Sequence, residues 1–177
     1  MKSKNLIYLL AIILALHSCS KTPGETRLNS FEIPTVTGFV FKNEEGVSMG
    51  SYGGPVNNKI SDKGSGQESS YYLNVFPNPS NDFYSVYTKV PSPSIMKHIW
   101  IVQATYNGEL SNTEINNNAV NLVAGGAPLI EVNSQSEIVR INISSLNEGY
   151  YRIYMEAGDI ILYDNLIVYK GNGSFFE

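Results

Sequence analysis

The 177-residue sequence has little of the chemistry on which most enzymes and metal proteins depend, since it contains one cysteine and two histidines. A single cysteine cannot form an internal disulfide, and so few histidines cannot complete a Cys/His zinc cluster. Nucleophile-elbow, phosphate-loop, HExxH and paired-carboxylate motifs are also missing from the sequence. These absences predict a protein that is not an enzyme and that uses no cofactor or metal ion.

Basic residues are scarce as well, with 12 lysines and arginines against 16 acidic residues and a formal net charge of −4. A general nucleic-acid binder presents a basic face to the phosphate backbone, and this composition does not supply one. We therefore expect no nucleic-acid partner. Acidic residues in predicted loops, such as Glu44 and Glu45, are interpreted as solvated loop positions rather than cation ligands.

The longest apolar run lies at the start of the chain, where residues 6–16 follow two lysines, Lys2 and Lys4. A positive segment followed by a short apolar segment is typical of a secretory signal. The run is too short for a bilayer core, which requires about 20 apolar residues. It also has no amphipathic pattern that would suit a helix on the surface of a core. The sequence therefore predicts export.

The residues that end this run, Leu16-His17-Ser18-Cys19, resemble the lipobox of bacterial lipoproteins. The resemblance implies that residues 1–18 are removed and that Cys19 is lipidated, so that the membrane is a partner through the lipid. Acyl chains that each contribute about 0.8 kcal/mol per buried methylene hold a soluble domain at a membrane. We expect a protein of the cell envelope that is anchored at the outer membrane. The sequence is compatible with both the cell-surface face and the periplasmic face of that membrane.

Residues 19–70 are predicted to form a flexible tether with one possible strand at 36–41. Within the tether, residues 46–66 contain six glycines and several interleaved serines. Such a segment has too few apolar side chains to offset the entropy lost on ordering. It is interpreted as a long loop, with Met49, Tyr52 and Val56 as positions that could anchor it.

From residue 71 onward, short apolar runs alternate with clusters of turn residues, and no run shows the 3.6-residue repeat of an amphipathic helix. Asn107-Gly108 is the strongest hairpin signal. Seven or eight short strands over about 100 residues are typical of a β-sandwich. We therefore predict an all-β, antiparallel β-sandwich over 71–170, followed by a tail at 171–177. Its strands are expected at 71–76, 83–90, 98–106, 120–123, 129–132, 138–143, 150–155 and 160–169.

Three stretches of this region resemble a known family. The segment around Phe76-Pro77-Asn78-Pro79 resembles the "YPNP" opening of the C-terminal sorting domain carried by cargo of the type IX secretion system. Residues 141–153 and 166–170 resemble the closing strands of the same domain. The resemblance implies an Ig-like sandwich and a possible sorting function. It assigns structural roles to five residues, Pro77, Asn78, Pro79, Gly149 and Lys170.

Tyrosine is the one abundant residue type suited to ligand binding, with 12 residues in the chain. Exposed tyrosines can stack on sugar rings or contact a protein partner, although ordinary strand packing is the alternative for each. Tyr52, Tyr106 and Tyr163 lie in or near predicted loops and are the candidate binding residues. The sequence thus favours a non-enzymatic envelope lipoprotein that serves in binding, adhesion or assembly. The alternatives are a sorting domain of the type IX kind and a glycan-binding module.

Overall fold

A computed structural model describes residues 32–54, 70–108 and 124–171. These ranges form eleven β-strands and contain no α-helix, which confirms the prediction of an all-β, antiparallel sandwich. The predictions for the signal 1–18, for Cys19, for a strand at 120–123 and for the tail after Gly171 lie outside the described residues. In chain order the strands are β1 (Thr35–Val36), β2 (Gly38–Lys42), β3 (Ser48–Gly53), β4 (Tyr72–Phe76), β5 (Phe83–Lys89), β6 (Lys97–Gln103), β7 (Thr105–Tyr106), β8 (Pro128–Ser134), β9 (Ile138–Asn142), β10 (Gly149–Ala157) and β11 (Ile160–Val168).

Two antiparallel sheets form the sandwich. One has four strands in the order β11-β10-β6-β8, and the other has three in the order β4-β5-β9. Strands β10 and β11 are a hairpin paired in unbroken register from Gly149 and Val168 to Ala157 and Ile160. The main hydrophobic core lies between the two sheets. Its fully buried members include Val75, Tyr84, Val86, Ile99, Ile101, Ile143, Ile153, Met155 and Leu166.

Three strands of the four-stranded sheet, β6, β10 and β11, carry buried apolar residues on both faces. On β6, Ile99 and Ile101 belong to the main core, whereas the alternate residues Trp100 and Val102 pack on the opposite face with Ala124. Near-continuous apolar runs are expected for strands that are covered on both sides. On part of the opposite face the cover comes from the first strands of the chain.

Those first strands correct the prediction of a flexible tether. Strand β1 pairs in parallel with β7, and β2 pairs with β3 as an antiparallel hairpin. Val36 and Phe39 are buried against Ala104 and Ile167 of the sandwich. Residues 35–54 therefore belong to the folded domain. The possible strand at 36–41 is observed as β2 (Gly38–Lys42), and the prediction of a flexible tether is wrong for the other residues of 35–54.

The prediction of a glycine-rich loop at 46–66 is also wrong where β3 forms. All six residues of β3 are exposed. An exposed strand does not need the alternation of apolar and polar residues that marks a half-buried strand, and β3 does not have it. A Cβ atom on Gly53 would lie 2.2 Å from the Thr37 carbonyl oxygen. Glycine thus serves close packing of the hairpin here rather than flexibility.

Asn78 joins the β2–β3 hairpin to the four-stranded sheet. Its backbone N–H and carbonyl pair with Lys42, each at 2.9 Å. Its side-chain Nδ2 donates to the carbonyls of Val40 and Asn165, at 2.9 and 3.0 Å. Its Oδ1 accepts the N–H of Ile167 at 2.9 Å. The buried side-chain amide of Asn78 thus has hydrogen-bond partners for both its nitrogen and its oxygen. These bonds fix the position of β2 relative to β11.

A second set of polar contacts lies beside Asn78. The Arg152 guanidinium donates to Asn165 Oδ1 at 3.0 Å and to the Thr35 carbonyl at 3.0 Å. Asn165 Nδ2 donates to the Gly38 carbonyl at 2.9 Å. Within the described residues, no buried side-chain nitrogen or oxygen lacks a hydrogen-bond partner. The first strands are therefore attached by directional bonds as well as by apolar packing.

Candidate aromatic binding site

Four aromatic rings come together from β2, β3, β7 and β10, and we call them the aromatic cluster: Phe39, Tyr52, Tyr106 and Tyr150. The ring centroid of Phe39 lies 5.7 Å from that of Tyr106 and 5.3 Å from that of Tyr150. Tyr106 lies 5.3 Å from Tyr150 and 5.8 Å from Tyr52. All these separations fall in the range of favourable ring contacts.

The strand registers bring the four rings together. Phe39 and Tyr52 are direct partners across the β2–β3 hairpin and so share one face of it. Tyr106 reaches the same place because β7 pairs in parallel with β1, with Val36 opposite Tyr106. The N–H of Ala104 donates to the Tyr150 carbonyl at 2.9 Å, which sets β10 beside β7. The cluster therefore depends on four separate parts of the chain.

The cluster has a buried base and a more exposed rim. Phe39 is buried, Tyr106 and Tyr150 are half-buried, and 48% of Tyr52 is exposed. Burial and the neighbouring Tyr52 side chain, which hydrogen-bonds with Tyr106, raise the pKa of Tyr106. Burial and Tyr52 also raise the pKa of Tyr150. Both phenols stay neutral at physiological pH, so the rim offers ring faces and neutral hydroxyls.

The structure brings together two of the three tyrosines that the sequence singles out. Tyr52 and Tyr106 are neighbours in the cluster. Tyr163 lies elsewhere, in the middle of β11, where it is buried with its ring 6.4 Å from that of Tyr154. The Arg152 guanidinium lies over the Tyr163 ring, 4.5 Å from its centroid. Tyr163 packs in the interior, so it is not an exposed stacking residue.

Sequence reasoning missed two members of the cluster, Phe39 and Tyr150. The signal for Tyr150 was present in the pair Tyr150-Tyr151, because adjacent strand residues face opposite sides of a sheet. Tyr151 belongs to the main core, and its hydroxyl donates to the Asn147 carbonyl at 2.8 Å. Tyr150 therefore faces the other side. No signal in the sequence places Phe39 next to it.

The residues assigned through the sorting-domain resemblance occupy structural positions. Pro77 and Pro79 flank Asn78 in the segment that links β4 to β5, and both of their preceding peptide bonds are cis. Gly149 begins β10 with a φ of +152°, which side chains rarely adopt. Lys170 Nζ donates to the Ser144 carbonyl at 2.8 Å, and its N–H donates to the Glu148 carboxylate.

Other groupings of polar side chains are small. His98 Nε2 lies 3.2 Å from a Glu131 carboxylate oxygen on the neighbouring strand, and its ring stacks on Trp100 with centroids 4.7 Å apart. Across residues 32–54, 70–108 and 124–171, no three His, Cys, Asp or Glu side chains gather into a group that could hold a metal ion. Over the same ranges, no helix is long and apolar enough to cross a membrane.

No protein-family model matches this chain, and no curated protein sequence matches it either. A proposal for its function therefore depends on its own residues.

Proposed function

We propose that this protein is a lipid-anchored, non-enzymatic binding module of the bacterial cell envelope, and that the aromatic cluster is its ligand-contacting surface. The observation that carries the proposal is the contact between Tyr52 and Tyr106, with Tyr52 half exposed above a buried Phe39. Aromatic side chains with a polar tip dominate the energetics of many recognition surfaces. The lipobox resemblance at Cys19 supports the anchor.

The cluster is suited to binding because its side chains are already held in place. Tyr106 and Tyr150 contact each other and Phe39, so a ligand would not have to order them. Ordering a mobile side chain on binding costs about 0.5–1.5 kcal/mol of binding free energy, and side chains that are already ordered avoid this cost. Tyr52 is the more exposed ring and is the one expected to make the first contact.

A glycan is the ligand class that the electrostatics favour, and a protein surface is the second. Neutral phenols offer hydrogen bonds to hydroxyl groups, and ring faces offer apolar contact to the C–H faces of a sugar. Tyrosine hydroxyls are protonated at physiological pH in any case, and the raised pKa values of Tyr106 and Tyr150 act in the same direction. Recognition of this kind is expected to survive high salt, because it does not depend on ion pairs.

The binding proposal is tested with matched tyrosine variants. Tyr72 on β4 is also 48% exposed and contacts another tyrosine, Tyr87, at 6.0 Å, but lies outside the cluster. We expect the wild type to bind one or more members of a panel of peptidoglycan, lipopolysaccharide and neutral glucans. Tyr52→Ala should weaken that binding about tenfold or more, whereas Tyr72→Ala should leave it unchanged. Equal effects of both variants would contradict the assignment of the site.

The anchor is tested by separating cells that express an epitope-tagged full chain into membrane and soluble fractions and detecting the tag in each with an antibody. A Cys19→Ala variant provides the control. Label that moves from the membrane fraction to the soluble fraction in this variant supports lipidation at Cys19. Identical membrane retention of both forms would overturn the anchor.

The segment Pro77-Asn78-Pro79 supports a second candidate function, which is sorting of the type IX kind. A reporter protein fused ahead of Phe76 would then be exported and trimmed in cells that carry that secretion machinery. Retention of the intact fusion inside those cells would exclude this function. The bonds that Asn78 makes within the domain account for its presence there without any sorting partner.

A further inference from the structure

The side chains of Lys42 and Asp164 meet inside the domain although they are 122 residues apart in the chain. Lys42 ends β2, and Asp164 is in the middle of β11. The distance between Lys42 Nζ and Asp164 Oδ2 is 2.5 Å, and the two side chains are only 10% and 1% exposed. An amine and a carboxyl group are thus held in contact where water is largely excluded.

The Asp164 carboxyl group is fixed in orientation by the backbone. Its Oδ1 accepts the N–H of Asn165 at 2.9 Å, and the backbone of Val75 also hydrogen-bonds to the group. The buried Tyr84 hydroxyl, which donates to the Ile167 carbonyl at 2.7 Å, is close enough to interact with it electrostatically. Burial raises the pKa of Asp164, while Lys42 and the hydrogen bonds oppose that rise.

We propose that Lys42 Nζ and Asp164 Cγ condense to form an intramolecular amide bond that links β2 to β11. A proton first passes from the ammonium group to Oδ2, which leaves a neutral amine and a neutral carboxylic acid. The nitrogen lone pair attacks Cγ, and the resulting tetrahedral species carries its negative charge on Oδ1. The C–Oδ2 bond then breaks, and this hydroxyl leaves as water with a proton from the nitrogen. One C–N bond forms, one C–O bond breaks, and no oxidant or cofactor is required.

Three features of the site favour this step. Reacting groups held in contact act at effective molarities that reach about 10⁵–10⁸ M in well-oriented cases. The Asn165 N–H donates to Oδ1, where the charge of the tetrahedral species develops. The product amide is neutral, whereas the starting ion pair keeps two charges out of water at a cost. The amine and the carboxyl group are therefore held in contact, with Oδ1 already hydrogen-bonded, as the condensation requires.

Peptide mapping of the denatured full chain tests the bond directly. Without the bond, trypsin cleaves after Lys42 and releases residues 28–42, 43–59 and 153–170 as separate peptides. With the bond, Lys42 resists cleavage, and residues 28–59 remain joined to 153–170. The joined product should be lighter by about 18 Da, one water, than the sum of its two parts.

Two variants give the matched controls. Lys42→Arg keeps the positive charge but lacks the primary amine, so its digest should contain only separate peptides of the calculated masses. Asp164→Asn should give the same joined product with loss of ammonia in place of water. Complete cleavage after Lys42 in the wild type, with a free peptide 153–170 and no mass deficit, would overturn the proposal and leave an ion pair only.

Discussion

Replacing Asn78 with alanine tests how the first strands are held to the sandwich. The substitution removes three side-chain hydrogen bonds, to the carbonyls of Val40 and Asn165 and from the N–H of Ile167. Asn78 is only 1% exposed, so water does not readily replace those bonds. Each buried group left without a partner costs about 1–3 kcal/mol. The free energy of unfolding should therefore fall by about 3–5 kcal/mol, allowing for the carbonyls' second lone pairs.

The measurement is urea unfolding followed by the fluorescence of Trp100, the single tryptophan, which is only 2% exposed. Asn81→Ala is the matched control, since Asn81 is exposed and only three residues away. Its effect should stay within about 0.5 kcal/mol. If Asn78→Ala cost no more than this control, the reasoning that Asn78 is a buried tie between β2 and β11 would be refuted.

Three further predictions concern other parts of the domain. Phe39→Ala should lower the free energy of unfolding by about 3–5 kcal/mol, because it leaves a cavity where a buried aromatic ring was. Met49→Ala on the exposed strand β3 should change this free energy by less than about 0.5 kcal/mol. Equal urea midpoints for the two variants would contradict the placement of β2 in the domain. Gly149→Ala should cost about 1–3 kcal/mol in thermal unfolding because its φ of +152° disfavours a side chain, and an unchanged melting temperature would refute this. Burial raises the pKa of Tyr84, so the unfolded chain ionises this tyrosine first and the stability should fall as pH rises above about 10. Tyr84→Phe should reduce that slope in urea titrations at a series of alkaline pH values, and an identical slope would contradict the assignment.

The strands of the sandwich could be predicted where the sequence pattern is local. The hairpin β10–β11 follows from two apolar runs around Ala157-Gly158-Asp159, and β5 follows from an alternating run. Strand β3 could not be predicted, because all of its residues are exposed and it contains two glycines, of which Gly53 serves close backbone approach. Its only strand partner among the described residues is β2, a pairing that its composition does not reveal.

The candidate site was predictable only in part, for a related reason. Residue type identified Tyr52 and Tyr106, but their contact depends on a parallel pairing of β1 with β7 across some 70 residues of chain. Tyr163 was misjudged because the nearby turn at Gly158 suggests a loop. Tyr163 instead lies within the β10–β11 hairpin, where it pairs with Tyr154. The face of the hairpin that carries both tyrosines is buried. Proximity in sequence to a turn is thus a poor guide to exposure in a sheet buried on both sides.

Under the proposed lipidation of Cys19, the position of the first described strand limits how far from the membrane the protein can act. The first described strand begins at Thr35, 16 residues after Cys19. Sixteen residues span at most about 55 Å when fully extended, and about 20–25 Å on average as a flexible coil. Under the proposed lipidation, the aromatic cluster would therefore work within a few nanometres of the lipid headgroups. Ligands belonging to that thin layer, rather than structures far from the membrane, are the first ones to test.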